Sequence, residues 1–351
     1  FIFMSQIITG IQQVGIGVSN AGKAWQWYRK KFGMDVPVFD DEAEAVLMKS
    51  YTGNDVHSRR AILALNMQGG GGFEVWQFKS RTPAPCKFDP VIGDLGINAV
   101  CMKTSDVEKS YSEFAAAKTE GLSELHKDPT GKPVFWIRDP YNNLFKVMEG
   151  NSWFNTPSGN TGGVCGVVIG VSDIEKSLPL YRDALGLQTI IYDEMGQFDD
   201  LDSSCTYRRI QLEKDQKDEG AFSRLLGGIK VELVQVLDRE PRTVFKNRYW
   251  GDLGFIHVCF DVNDMETLKT NCEKAGYEFT IDSADSFDMG EAAGRFSYIE
   301  DPDGTLIEFV QTHKLPIMKK WGWYINLHKR KKNKPLPNWM LNSMALNRVK
   351  D

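Results

Sequence analysis

Tyr28-Arg29-Lys30-Lys31-Phe32-Gly33-Met34 returns later in the chain as Tyr181-Arg182-Asp183-Ala184-Leu185-Gly186-Leu187. Gly93-Asp94-Leu95-Gly96 returns as Gly251-Asp252-Leu253-Gly254, and Asp139-Pro140 returns as Asp301-Pro302. From Gly33 to Gly186, Gly96 to Gly254 and Asp139 to Asp301 the offsets are 153, 158 and 162. Register is kept, and the second copy gains a few residues in its loops. The chain is a duplication. Comparing the copies position by position then shows where one keeps chemistry that the other has lost.

Working outward, residues 7–150 form a first module and 164–312 a second. A connector rich in Gly, Ser, Pro and Asn runs over 151–163, and a tail follows from 313 to 351. Each module divides again. Gln13-Val14-Gly15-Ile16-Gly17-Val18 and Gly166-Val167-Val168-Ile169-Gly170-Val171 are β-type runs, followed by helix caps at Ser19-Asn20 and Ser172-Asp173. Amphipathic helices then end near Gly33 and Gly186. Later strands close in Phe73-Glu74-Val75-Trp76-Gln77 and Val231-Glu232-Leu233-Val234-Gln235. The second half of the second module repeats the plan: the strand His257–Val262, a cap at Asn263-Asp264, a helix through Ala275-Gly276 and a last strand, Leu306–Gln311. Four βαβββ units result, an α+β protein. The glycines from Gly69 to Gly72 precede a strand and not a helix, so a hairpin or flexible turn is expected there, not a phosphate loop.

A chain of 351 residues, 42% hydrophobic and 25% charged, buries a full core and suits two domains. No apolar run is long enough to span a bilayer, and Phe1-Ile2-Phe3-Met4 lacks the length and charge of a secretion signal. A cytoplasmic protein is expected. The six cysteines form no CxxC pair and sit largely in apolar stretches, which predicts reduced, buried thiols. Charge is uneven: ten of the 42 Lys and Arg, but one of the 47 Asp and Glu, lie from His313 onward. Beside Trp321, Trp323, Tyr324 and Trp339, the run Lys329-Arg330-Lys331-Lys332 could serve as a nucleic-acid or membrane arm. The favoured expectation is that these aromatics pack the tail onto the chain's own acidic body, with no nucleic-acid partner.

The four units, with Tyr-Arg-x-x-Leu-Gly-Leu after the first helix and Asp301-Pro302-Asp303-Gly304-Thr305-Leu306-Ile307-Glu308 at the end, resemble the vicinal oxygen chelate superfamily. That superfamily includes glyoxalase I, extradiol dioxygenases and bleomycin-resistance proteins. The resemblance covers residues 7–312 and implies two glyoxalase-like modules with curled, open-barrel sheets, whose metal ligands lie on the first and last strand of each unit. Those positions are Gln13 and Glu74, Ala99 and Lys146, Gly166 and Glu232, and His257 and Glu308. Units two and three are depleted: Ala99 and Gly166 carry no donor, and Lys146 brings an ammonium where a cation would sit. Lys146 and Glu232 are expected to replace the metal with an ion pair. Units one and four supply Gln13, Glu74, His257 and Glu308, a set suited to one divalent ion (Zn, Ni, Co, Mn or Fe).

The resemblance to single-chain glyoxalase I implies that unit one pairs with unit four and unit two with unit three. Pairing within each module, as in extradiol dioxygenases, would instead group Glu232, His257 and Glu308, with Gly166 where those enzymes need a second histidine. By the resemblance Glu308 is the base, Glu74 its partner across the metal, and the reaction a metal-dependent isomerase or lyase step next to a carbonyl on a small molecule. Glutathione-using members carry an Arg and an Asn four residues beyond the first two ligands. Here those places hold Gly17 and Phe78, so a glutathione conjugate is not the expected substrate. A dioxygenase and a non-catalytic small-molecule binder are the alternatives. Trp76, Phe78, Trp136 and Phe296 suggest an apolar pocket, His57, His126, His313 and His328 have no motif position, and a monomer or homodimer is expected.

Overall fold

The computed structural model describes residues 7–284, 287–288, 293–318, 322–327 and 330–350. Phe1–Met4, Trp321, His328, Lys329 and the side chain of Trp323 lie outside the described residues. Unit one contains β1 (Ile8–Gly17), α1 (Ala21–Phe32), β2 (Val36–Glu44), β3 (Ser58–Leu65) and β4 (Gly72–Phe78). Unit two contains β5 (Gly96–Thr104), α2 (Val107–Ala116), β6 (His126–Lys127), β7 (Pro133–Arg138) and β8 (Leu144–Glu149). Unit three contains β9 (Val164–Gly170), α3 (Ile174–Leu178), β10 (Thr189–Gly196), β11 (Tyr207–Lys214), α4 (Ser223–Leu226) and β12 (Ile229–Val236). Unit four contains β13 (Gly254–Val262), α5 (Met265–Lys274), β14 (Ile281–Asp282), β15 (Phe287–Asp288), β16 (Ala293–Glu300) and β17 (Leu306–Met318); β18 (Trp323–Asn326) and α6 (Asn338–Ser343) follow.

The helices begin where the sequence places acceptors. Asn20, Asp106, Asp173 and Asp264 each take a first-turn backbone N–H, which would otherwise be unpaired. Unit three departs from its copy: α3 widens at Pro179 into a π-turn over Pro179–Ala184, with Leu185 N donating to Leu180 O at 2.9 Å. Proline lacks an N–H and crowds the carbonyl four residues back, so the regular ladder cannot run through it.

Strand pairing crosses the duplication. β1 lies antiparallel to β13 and β5 antiparallel to β9, each flanked in parallel by the last strand of its own unit. Units one and four therefore share one curled sheet, in the order β14-β16-β17-β13-β1-β4-β3-β2, with β15 and β18 paired to its β16 and β17. Units two and three share the other, in the order β10-β11-β12-β9-β5-β8-β7-β6.

The repeated motifs act as the ties of this arrangement. Asp252 accepts from Arg81 at 2.5 Å, joining unit four to the end of unit one; Asp94 accepts from Arg239 at 2.7 Å and Arg242 at 2.9 Å, joining unit two to the end of unit three. The other pair runs between the sheets, inside each module. Tyr28 donates to Asp139 at 2.5 Å and Tyr181 to Asp301 at 2.9 Å, all four buried. Between the sheets lies a large apolar core that includes Tyr28, Phe32, Phe73 and Phe145.

The glycine run closes the β3–β4 hairpin as expected. Gly70 adopts φ 112°, and a β-carbon there would lie 2.6 Å from the carbonyl carbon of Gly163, so only glycine lets the connector cross so closely. The six cysteines are unpaired, four of them buried. No described helix is long and apolar enough to cross a membrane. The tail docks on the body, but not through Trp339: Leu336, Leu341 and Met344 enter the interior of the first sheet, whereas Trp339 is exposed. Lys332 and Arg348 pair with Asp264 and Asp35 on the body, at 3.1 and 3.2 Å.

Tyr181 supplies the donor to Asp301 Oδ2, whereas Asp139 Oδ2 also receives Asn143 Nδ2 at 2.8 Å. Tyr181→Phe should therefore cost about 1–3 kcal/mol in urea unfolding, as expected for a buried acceptor left unpaired, and Tyr28→Phe should cost less.

Candidate metal centre

Gln13, Glu74, His257 and Glu308 meet inside the first sheet. His257 Nε2 on β13 lies 3.0 Å from Glu308 Oε2 on β17 and 3.5 Å from Glu74 Oε2 on β4. One donor atom from each of these three falls within 4.8 Å of the other two. Gln13 Nε2 on β1 is 3.4 Å from Glu308 Oε2, while its buried Oε1 has no hydrogen-bond partner. His257 Nε2 is also without an aligned hydrogen bond despite the nearby carboxylates. Buried polar atoms are rarely left unpaired, and an orphaned imidazole nitrogen and amide oxygen beside two carboxylates form a donor set that fits a divalent ion.

Two neighbours prepare this geometry, and neither was singled out from sequence. Tyr298 on β16 places its hydroxyl 3.3 Å from His257 Nδ1, which orients the ring and leaves Nε2 facing the carboxylates. Gly15 lies directly opposite His257 in the β1–β13 ladder, and a β-carbon there would come within 2.7 Å of Nε2. A glycine inside a strand was the available signal for that close approach; Tyr298 gave none.

Without a metal, the carboxylates are unequal. Burial, then the charge of Glu308, pushes Glu74 up to about 7. Burial also opposes ionisation of Glu308, but His257 outweighs it and holds that carboxyl below its ordinary value. For His257 burial disfavours the cation, and Glu308 and then Glu74 overcome it, so its pKa rises.

In the second sheet the equivalent position holds a closed ion cluster. Lys146 Nζ lies 3.1 Å from Glu232 and 3.3 Å from Asp200, and Arg209 reaches Asp200 at 2.6 Å and Glu232 at 2.5 Å. All four side chains are at most 4% exposed. The expected Lys146–Glu232 pair is present, enlarged by Arg209 and Asp200 to two cations and two anions. Burial raises the cost of ionising Glu232 and Asp200, yet Arg209 and Lys146 bring both below the usual carboxylate range. With Glu232 held in the other sheet, the alternative grouping of Glu232, His257 and Glu308 does not form. Trp136 belongs here too, over Lys146 at 5.3 Å, so it does not share a pocket with Trp76, Phe78 and Phe296.

Glu74 and Glu308 front two cavities. One, of about 100 Å³, is walled by Phe39, Leu63, Leu226 and Met344 and reached by Gln12 and Gln13. The other, of about 170 Å³, is bordered by Arg59, Trp76, Trp250 and Tyr298. His57 and His126 lie elsewhere, beside Ser80 and Asp199, and His313 lines a separate cleft near Arg330.

The sequence pattern of the family described as Glyoxalase/Bleomycin resistance protein/Dioxygenase superfamily matches residues 10–147 and again 165–309. The chain belongs to that superfamily. No curated protein matches it in sequence. Among solved structures, glyoxalase I from Zea mays is 16% identical, covering 86% of this chain and 92% of its own, with a TM-score of 0.52. A putative dioxygenase from Bacillus subtilis subsp. subtilis str. 168 is 12% identical, covering 99% and 98%, with a TM-score of 0.57. At these identities the likeness is one of fold. Members of the superfamily generally bind a divalent metal, which accords with the donor set in the first sheet.

Gly15→Ala should push the His257 ring aside and weaken metal binding at least tenfold in a direct metal titration, with far-UV circular dichroism unchanged. In the second sheet, Lys146→Met should destabilise by about 3–5 kcal/mol, since it strands buried carboxylate charge. Lys146→Met combined with Glu232→Leu should cost less than the sum of the single changes in urea unfolding.

Proposed function

We propose that this protein is a metal-dependent isomerase or lyase of the glyoxalase I type, moving a proton next to a carbonyl on a small molecule, with Gln13, Glu74, His257 and Glu308 as ligands of one divalent ion. The observation that carries the proposal is that Gln13 Oε1 has no hydrogen-bond partner and His257 Nε2 has only an unaligned contact with Glu308, both beside two carboxylates that open onto cavities. A divalent ion held there would supply Lewis acidity for the charge that builds on the substrate's oxygens as the neighbouring C–H proton leaves.

The chain's own residues divide the remaining tasks. Glu308 is tied by His257 at 3.0 Å and Gln13 at 3.4 Å, which suits an anchoring ligand. No hydrogen bond to the Glu74 side chain occurs among the described residues, and its nearest cationic neighbour is His257 at 3.5 Å. That freedom supports Glu74 as the group that takes the proton from one carbon and returns it to the next. This order reverses the one the resemblance implied for Glu308. The apolar walls exclude water, so a proton held on Glu74 goes back to the substrate and is not lost to solvent.

Protein purified without chelator or affinity nickel should hold about one metal per chain by mass spectrometry, and His257→Ala and Glu308→Ala should both lose it. Glu74→Gln should retain more metal than either, while lowering turnover of α-hydroxycarbonyl substrates about 10²–10⁴-fold, the usual contribution of a general base. Wild-type protein that takes up none of nickel, cobalt, zinc, manganese or ferrous iron would leave a metal-free binding protein instead.

A further inference from the structure

The two cavities beside the carboxylates say what the substrate carries away from its reacting oxygens. We infer that the ligand of this site is an uncharged molecule whose apolar end, up to the size of one six-membered ring, enters the cavity closed by Met344. The inference rests on the metal-site proposal above for the position of the reacting oxygens and for the charge balance beside them.

Size comes first. An apolar protein cavity of about 150 Å³ holds benzene, and this one measures about 100 Å³. Its wall includes Met344, an unbranched side chain with several rotatable bonds that can yield to a slightly larger guest. Val38, Phe39, Leu63 and Leu226 supply much of the remaining surface, and the short helical turn Met344–Asn347 brings the tail across it.

Charge decides the class. Apart from Glu74 and Glu308, the polar side chains of the described residues in that wall are Gln12, Gln13 and Thr312, all uncharged, with no Lys, Arg or His among them. Among the described residues of the companion cavity the cation is Arg59, which is already bound to Asp41 at 2.7 Å. A divalent ion balanced by two carboxylates leaves a core of net charge zero. An additional carboxylate or phosphate on the ligand would enter a low-dielectric space without a counter-charge and would forfeit its hydration.

The test compares 2-hydroxyacetophenone with mandelate, which share a phenyl ring and vicinal oxygens and differ in charge at neutral pH. Each is titrated calorimetrically into the full chain with and without cobalt(II), whose binding is followed separately by its visible absorption. The neutral ketone should bind at least tenfold more tightly than mandelate. Met344→Trp, which fills the cavity, should weaken the ketone at least tenfold without changing cobalt stoichiometry, and Leu226→Ala should admit 2-hydroxy-4′-methylacetophenone more tightly than wild type does. Equal or tighter binding of mandelate to wild-type protein overturns the inference, whether or not either variant folds. Failure of cobalt to bind overturns the metal-site proposal alone, because the order of the two affinities in metal-free protein still decides the ligand class.

Discussion

A carboxylate turned into an apolar barrel must find positive charge, and both sheets are organised around that requirement. Ionised groups lose far more hydration on burial than packing can return, so they persist only when paired or coordinated. In the second sheet Glu232 and Asp200 are answered by Lys146 and Arg209, all within the protein. In the first sheet Glu74 and Glu308 share one imidazole, whose Nε2 makes no aligned hydrogen bond, and beside it stands an amide oxygen without a partner. The same fold position has thus been resolved once by internal salt links and once in a form that fits an external cation.

The topology explains why the two solutions separate so cleanly. Because β1 pairs with β13 and β5 with β9, each sheet takes one unit from each module, and the first strand of one unit stands against the first strand of the other. The recurring motifs enforce this exchange from both directions. The Asp of each Gly-Asp-Leu-Gly closes a sheet by binding arginines beyond its partner unit, and the Tyr of each first helix reaches the Asp-Pro turn in the opposite sheet. An aspartate buried at such a tie is held by several donors, so its place depends on the whole module being folded. Asp301 shows the cost, since burial pushes its carboxyl up to about 6 despite those donors.

Much of this was legible in the residues because it rests on repetition and periodicity. The four units and their capping residues follow from patterns that a strand or helix imposes locally, whereas the gathering of Gln13, Glu74, His257 and Glu308 was implied by the resemblance to the superfamily. What escaped was set by long-range contact. Arg209 and Asp200 join Lys146 and Glu232 from a strand and a loop whose sequence does not announce an inward turn. Tyr298 orients His257 from a neighbouring strand, and the link is visible only once β16 lies beside β17. At Trp339 the tail misled for a related reason: a tryptophan is conspicuous, but Leu336, Leu341 and Met344 fit the concave interior of the sheet, and Trp339 remains in solvent.

The difference in what fills each barrel completes the argument. In the second sheet the segment between β10 and β11 turns inward, bringing Phe198 over Arg209 at 4.6 Å and Leu201 and Cys205 against the interior cluster, with Asp200 at the ion pairs. That loop lies over the ion cluster, and the charges it covers are already balanced. In the first sheet the corresponding segment forms a short helical turn at Val46–Tyr51, which borders a cavity and does not fill it. The mouth is instead lined by α4 and by Met344 of the tail, and no described residue of either carries compensating charge into it. Loss of ligands and internal charge balance thus go together in the second sheet, and retained ligands with cavities directly beside them in the first. That correlation is expected if the first sheet alone is kept for binding, because a buried donor set without room beside it could hold an ion but could not act on anything else.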